Sequence, residues 1–103
     1  MIVTVFRSRL MPGINDEYQP VAERMDELAA TMPGYVWHKG YTAEDGERVT
    51  IVAFESEETQ RAWRLQPEHL EAQRLARTRF YSTFDITVCQ VLHNAKFERD
   101  IKA

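Results

Sequence analysis

The 103-residue chain has the length of one domain, and its 44% hydrophobic and 28% charged residues are typical of a globular protein and exclude a disordered one. Its formal net charge of −3 argues against nucleic acid as the main ligand, and no stretch approaches the roughly 18 apolar residues of a transmembrane helix. The single cysteine, Cys89, excludes an intramolecular disulfide. Since the first residues also lack a signal-peptide pattern, we expect a cytoplasmic protein without a membrane partner.

Hydrophobic periodicity and turn residues predict a chain of alternating strands and helices. The predicted elements are strand 2–9, helix 15–32, strand 35–41, strand 48–55, helix 56–63, helix 67–78 and strand 82–92. The last helical segment is broken in two because Gln66 precedes Pro67, and a residue before proline avoids the α conformation. The resulting βαββαβ order predicts an α+β, ferredoxin-like fold with an antiparallel sheet over residues 1–93, followed by a C-terminal tail over 94–103.

Apolar residues occupy both faces of two predicted strands. In the third strand Val49 and Ile51 lie on one face and Val52 and Phe54 on the other, and the last strand has a similar pattern. Helices cover one face of such a sheet, so the second apolar face requires another cover. The identical sheet of a second copy is the simplest cover and predicts a homodimer. The alternative is that the C-terminal tail folds back over this face.

The densest group of residues able to carry chemistry surrounds the predicted helix break. Trp63 ends one helix and His69 lies in the first turn of the next, so both side chains are expected to line one cavity. An imidazole can exchange a proton with a phenolic or enolic substrate, and an indole can stack on an aromatic one. The alternatives are that Trp63 only fills the core and that His69 is exposed and idle.

The remaining candidate residues favour neither metal nor cofactor chemistry. The three histidines, His38, His69 and His93, lack the spacing of metal ligands, so no metal is expected. Cys89 in a strand is typical of a small buried hydrophobic residue, and His38 and Trp37 alternate, so that only one of them faces the helices. Without flavin or nicotinamide motifs, any redox chemistry is expected to be cofactor-free, with the substrate supplying the electrons.

The run from Trp63 to Gln73 resembles the W-x-x-H-P-E-H-x-x-A-Q signature of antibiotic biosynthesis monooxygenase-like proteins. Phe80-Tyr81 resembles that family's aromatic pair, and Pro33-Gly34-Tyr35 resembles its helix-to-strand junction. The resemblance implies a dimeric α+β barrel in which two sheets lie face to face. It also implies a cavity between helices and sheet in each protomer. Some members of the family oxidise polycyclic phenols with O2 and no cofactor, whereas others degrade haem.

The family's functional residues match this chain only in part. Quinone-forming members pair the helix Trp with an Asn one turn earlier and a Tyr shortly after it; Trp63 matches, but those positions hold Thr59 and His69. In haem-degrading relatives a His follows further along the helix, where this chain has Gln73. The first His of the signature is likewise replaced, by Gln66.

These observations lead to a cofactor-independent monooxygenase acting on a small aromatic phenol or quinol as the first hypothesis. Trp63 would stack on the substrate and His69 would accept its proton, with Thr59, Tyr35, Tyr81 and His38 as substrate-binding residues. The alternatives are a non-catalytic small-ligand binder and an isomerase or haem-linked protein on the same fold. A haem site would need His38 or His69 as the axial ligand.

Overall fold

The computed structural model describes residues 1–101, and its regular elements follow the predicted order. They are β1 (Ile2–Leu10), α1 (Asn15–Thr31), β2 (Tyr35–Thr42), β3 (Arg48–Phe54), α2 (Glu57–Arg64), α3 (Pro67–Leu75), a π-helical turn (Ala76–Phe80) and β4 (Tyr81–Gln90). Helices α2 and α3 together occupy the place of the second helix, so the βαββαβ arrangement is confirmed. Across the described part of the chain, none of the helices combines the length and apolar character needed to span a membrane.

The largest difference from the predicted element boundaries lies at the end of α3. Helix α3 stops at Leu75 and continues as the π-helical turn, where apolar spacing predicted one helix through about Thr78. Pro20 lies inside α1 without ending it, because its missing N–H removes only one backbone hydrogen bond from a 17-residue helix. The break at Gln66 is confirmed: its extended backbone, with ψ at 130°, separates α2 from α3.

The four strands form one antiparallel sheet in the order β2-β3-β1-β4. In β1, Ile2 lies opposite Phe54 on one side and Gln90 on the other. Residues directly opposite share a face, so this register places Phe54, Phe6 and Phe84 on the same face of the sheet. The helices pack on that face, because Phe54 forms the buried core together with Ala29 of α1 and Trp63 of α2.

The helices cover the two halves of this face unequally. Around Phe54, the core is completed by Met25, Leu28, Met32, Tyr35 and Val52. Towards β4 the cover ends, and Ile86 remains 52% exposed beside half-exposed Phe84 and Val88. The β2–β3 half therefore carries the hydrophobic core, and the β4 half is open.

The other face of the sheet has no helix on it. It carries Val3, Val5, Val49 and Ile51 on the central strands, with Trp37 and Tyr41 exposed on β2. The tail does not cover this face in the protomer: residues 91–101 form neither helix nor strand, and Leu92, Phe97 and Ile101 are 94%, 78% and 83% exposed. Of the predicted tail, residues 102 and 103 lie outside the described part of the chain.

Gly34 holds the turn from α1 to β2 tightly against α2. Its φ of +81° lies in the left-handed region, and a Cβ at this position would lie 2.5 Å from the Oγ1 of Thr59. Left-handed backbone costs a residue with a Cβ roughly 1–2 kcal/mol. The contact with Thr59 would add a steric clash to that cost.

We therefore expect Gly34→Ala to lower the free energy of unfolding by about 2 kcal/mol or more. Gly40→Ala is the matched control, because a Cβ added at Gly40 would meet no heavy atom within 4 Å and the φ of this residue is not positive. Urea denaturation of both variants measures the difference. Equal stabilities for the two variants would show that the turn at Gly34 relaxes freely.

Candidate active site

Trp63 and His69 form a stacked pair beneath the break between α2 and α3. Their ring centroids are 3.9 Å apart and the ring planes differ by 12°. Trp63 is only 8% exposed and packs on its far side into the core with Ala29 and Phe54. The two rings thus lie together, but neither lines the cleft described below, and the imidazole occupies the indole face on which a substrate was expected to stack.

Two hydrogen bonds hold the backbone and ring of His69 in place. The side-chain oxygen of Gln66 accepts from the His69 backbone N–H at 2.8 Å, and His69 Nδ1 lies 2.9 Å from the carbonyl oxygen of Trp63. A carbonyl oxygen only accepts, so Nδ1 carries the proton and donates it. The neutral ring then has its lone pair on Nε2, which is the atom that can accept a proton.

The surroundings of His69 favour this neutral form. Burial lowers the pKa of His69 below its ordinary value of 6.5, and the hydrogen bond to the Trp63 carbonyl opposes that shift only in part. Within residues 1–101, the Nε2 atom of His69 has no hydrogen-bond partner. This atom is not fully buried, because every fully buried side-chain nitrogen or oxygen in this part of the chain has a partner. Nε2 is therefore a free acceptor with access to solvent, as a general base requires.

Gln73 connects this pair to a cleft at the open half of the sheet. Its Nε2 lies 3.3 Å from the carbonyl oxygen of Arg64 and 3.5 Å from Nδ1 of His69. The same side chain lines a cleft of about 40 Å³ between the α3–π segment and strands β1 and β4. The other lining residues are Phe6, Ala76, Arg77, Phe84 and Ile86.

Tyr81 lies behind this cleft at the start of β4. Its ring packs edge-on against Phe6 at a centroid distance of 5.4 Å and contacts Phe84 at 6.2 Å. Its hydroxyl donates to the hydroxyl of Tyr18 over 3.3 Å, and burial strongly raises the pKa of Tyr81. Tyr81 therefore remains a neutral phenol and a hydrogen-bond donor throughout the physiological pH range.

Tyr35 and His38 meet each other at the far edge of the sheet. The Tyr35 hydroxyl lies 2.6 Å from His38 Nδ1, and His38 Nε2 lies 3.6 Å from a carboxylate oxygen of Asp26 on α1. Strands β2 and β4 are the opposite edges of a four-stranded sheet, with their axes about 14 Å apart, and neither Tyr35 nor His38 lines the cleft. The prediction that either His38 or Trp37 faces the helices is resolved in favour of His38.

Thr59 uses its hydroxyl within the protein. Its Oγ1 accepts from the backbone N–H of Ser56 and donates to the Ser56 carbonyl, each at 3.1 Å, while Ser56 Oγ accepts from the Thr59 N–H. This reciprocal capping arrangement fixes the start of α2. In this structure, Thr59 is thus a helix-capping residue that packs against Gly34.

The structure adds cleft residues that the sequence did not single out as a site: Phe6, Phe84 and Ile86. The alternation in β4 already placed Phe84 and Ile86 on one face, which was the available signal. The two candidate haem ligands, His38 and His69, do not line the cleft, and Gln73 does. Among residues 1–101, no cluster of three or more His, Cys, Asp or Glu side chains is positioned to hold a metal ion.

Comparison with known proteins decides the family. Residues 1–75 match the family model described as antibiotic biosynthesis monooxygenase. The chain belongs to this family. It is also 29% identical, over 83 residues, to the uncharacterized protein YqjZ of Bacillus subtilis, a match that covers 81% of this chain and 73% of YqjZ.

Solved structures share the fold of this monooxygenase family. The structure of Rv0793 from Mycobacterium tuberculosis superposes with a TM-score of 0.81 at 18% identity, covering 92% of this chain and 98% of Rv0793. SnoaB from Streptomyces nogalater, a cofactor-independent oxygenase, superposes with a TM-score of 0.75 at 21% identity, covering 90% of this chain and 94% of SnoaB. At these identities the likeness shows the ferredoxin-like fold, which confirms the predicted fold class.

The lowered pKa of His69 leads to a prediction for stability against pH. As the pH falls below 6.5, an unfolded His69 gains a proton that the folded protein resists, so the folded state loses stability. His69→Gln removes this contribution, and the other histidines are common to both proteins. We expect the free energy of unfolding to fall more in the wild type than in His69→Gln between about pH 7.5 and about pH 5. Urea denaturation at both pH values measures this, and parallel losses would contradict the burial of His69.

Proposed function

We propose that the protein is a cofactor-independent monooxygenase that acts on an aromatic phenol or quinol, with His69 as the general base. The observation that carries the proposal is the orientation of His69: its Nδ1 is committed to the Trp63 carbonyl, and its Nε2 is an unpaired acceptor open to solvent. Membership of the antibiotic biosynthesis monooxygenase family supports an oxygenase. SnoaB, which has the same fold, is a cofactor-independent oxygenase.

In the proposed reaction, the substrate hydroxyl transfers its proton to Nε2 of His69. The resulting phenolate is electron-rich and reduces O2, forming a bond between a ring carbon and oxygen. The O–O bond then breaks, and one oxygen atom stays on the ring as the second quinone carbonyl. The other oxygen leaves as water with two hydrogens from the substrate, so that a phenol and O2 give a quinone and water.

The surrounding residues have supporting parts in this proposal. Trp63 covers one face of the imidazole and leaves the ring edge with Nε2 free, and this partial burial favours the neutral base by lowering its pKa. Tyr81 donates its hydroxyl proton to Tyr18 and supports the cleft walls Phe6 and Phe84 through its ring, so we propose that it positions these walls. Tyr35, His38 and Thr59 have protein partners of their own, and we propose structural roles for them.

Oxygen uptake with a panel of phenols and quinols tests the reaction. We expect His69→Gln to reduce the turnover rate by a factor of 100 or more, since general bases contribute about 10²–10⁴-fold. The matched control is His93→Gln, which changes an exposed histidine beyond the end of β4 and should leave the rate unchanged. Ligand-induced thermal stabilisation without oxygen uptake would instead favour a binding protein, and an unchanged rate in His69→Gln would remove His69 as the base.

We also propose that the protein is a homodimer joined through the open face of the sheet. Val3, Val5, Val49 and Ile51 form an apolar strip there, with Trp37 and Tyr41 exposed beside it. Neither a helix nor the described part of the tail covers this strip within the protomer. The same face of a second copy offers an equally apolar surface, as an isologous two-fold contact requires.

Ile51→Glu tests the dimer, because it places a charge at the centre of the proposed contact. We expect the wild type to sediment at twice the 12.1 kDa chain mass and Ile51→Glu to sediment at the chain mass. Ala30→Glu on the exposed side of α1 is the control and should remain dimeric. A wild-type protein that sediments as a monomer at micromolar concentration would contradict the proposal.

A further inference from the structure

The cleft beside Gln73 combines an apolar side with a cationic rim. Strands β1 and β4 contribute Phe6, Phe84 and Ile86, and the α3–π segment contributes Gln73, Ala76 and Arg77. Two of these residues are aromatic, and Arg77 is the side chain in the lining that carries a charge. The strand side therefore offers apolar contacts to a ring, and the helix side offers a positive charge to an anion.

Arg77 differs from its neighbours in having no carboxylate partner. Arg74, three residues earlier, binds Glu71 with its Nη2 2.6 Å from a carboxylate oxygen, and Arg79 binds Glu17 at the same distance. Within residues 1–101, no acidic side chain lies within salt-bridge distance of Arg77. Its guanidinium is thus available for a planar, bidentate contact with an anion from outside the protein.

The backbone changes its geometry where it borders the cleft. Helix α3 becomes the π-helical turn at Ala76, so both Ala76 and Arg77 line the cleft from the first two positions of that turn. π-helical turns are rare, and they occur frequently at functional sites. The wider turn changes the directions of Arg77 and the residues after it relative to a continued α-helix.

We infer that the cleft binds an aromatic carboxylate, whose carboxylate pairs with Arg77 while its phenolic hydroxyl lies towards Gln73, the cleft residue next to His69. This inference rests on the proposed function, since it names the substrate class of the same site. It adds an anionic group to the proposed phenol, and it assigns that group's recognition to Arg77.

The cleft is a shallow surface feature on which a ring would lie partly exposed. Its volume of about 40 Å³ corresponds to roughly three water molecules, which is less than a closed cavity needs to hold a benzene ring. A ring bound here therefore rests with one face on Phe84 and Ile86, which are themselves 40% and 52% exposed. Gln73 and Arg77 both line the helix side of the cleft, so a hydroxyl and a carboxylate on the same ring can each face one of these side chains.

Isothermal titration calorimetry with three probes tests the inference on the full chain. The probes are 4-hydroxybenzoate, its neutral isostere 4-hydroxybenzamide, and benzoate, which lacks the hydroxyl and should bind more weakly than 4-hydroxybenzoate. We expect 4-hydroxybenzoate to bind at least about tenfold more tightly than the amide, as a charge-assisted hydrogen-bonded pair implies. Arg77→Gln should remove that preference by weakening 4-hydroxybenzoate alone, and Arg77→Lys should retain part of it.

Arg74→Gln is the matched control, because it removes an arginine of the same helical segment that pairs with Glu71 and does not line the cleft. It should bind 4-hydroxybenzoate like the wild type, and circular dichroism confirms that each variant is folded. Equal affinities of the wild type for 4-hydroxybenzoate and its amide, or unchanged binding in Arg77→Gln, would overturn the inference. If either result is found while oxygen uptake with uncharged phenols still depends on His69, the oxygenase proposal stands and only the anion site is refuted. If 4-hydroxybenzoate binds through Arg77 but no phenol causes oxygen uptake, the oxygenase proposal is refuted and the anion site stands.

Discussion

The missing N–H of Pro67 determines the geometry of the candidate site. In a continuous helix, the carbonyl of Trp63 would accept a hydrogen bond from the backbone N–H four residues later, and that residue is Pro67. The carbonyl instead accepts from the backbone N–H of Gln66 at 3.2 Å and from His69 Nδ1 at 2.9 Å. The carbonyl of Trp63, which receives no hydrogen bond from Pro67, therefore holds the proton of His69 on Nδ1. The same hydrogen bond places the imidazole ring against the indole of Trp63.

Because the helices cover the sheet unequally, the residues that stabilise the fold and the residues available to bind a ligand lie in different halves of it. Around Phe54, α1 and α2 close over β2 and β3, and the Tyr35–His38–Asp26 group ties β2 to α1 at that edge. Over β4, the α3–π segment leaves a cleft, and the walls of this cleft are partly exposed. Residues of the first half are fixed by neighbours within the chain, whereas residues of the second half have surface left for a ligand.

Much of this fold follows from local rules that the sequence displays. The alternation in β3 and β4 and the Gln66-Pro67 break each depend on a few neighbouring residues, and each is found where it was predicted. The π-helical turn was not predictable, because a run of apolar residues at helical spacing does not distinguish α from π geometry. The position of His69 on the face of Trp63 could not be predicted either. It depends on side-chain rotamers and on which donor forms a hydrogen bond with the Trp63 carbonyl. Alternation left either Trp37 or His38 facing the helices, and only the register with β3 decides between them.

The stacking of His69 on Trp63 also places the candidate base in contact with a fluorescent side chain. An excited indole transfers an electron to a protonated imidazole far more readily than to a neutral one, and here the two rings are 3.9 Å apart. The emission of Trp63 thus depends on whether the neighbouring imidazole carries a second proton. Trp37, the other indole of the chain, lies on the opposite face of the sheet and is 40% exposed, so it emits from a separate, wetter environment. The protein consequently contains its own reporter of the protonation state of its candidate base.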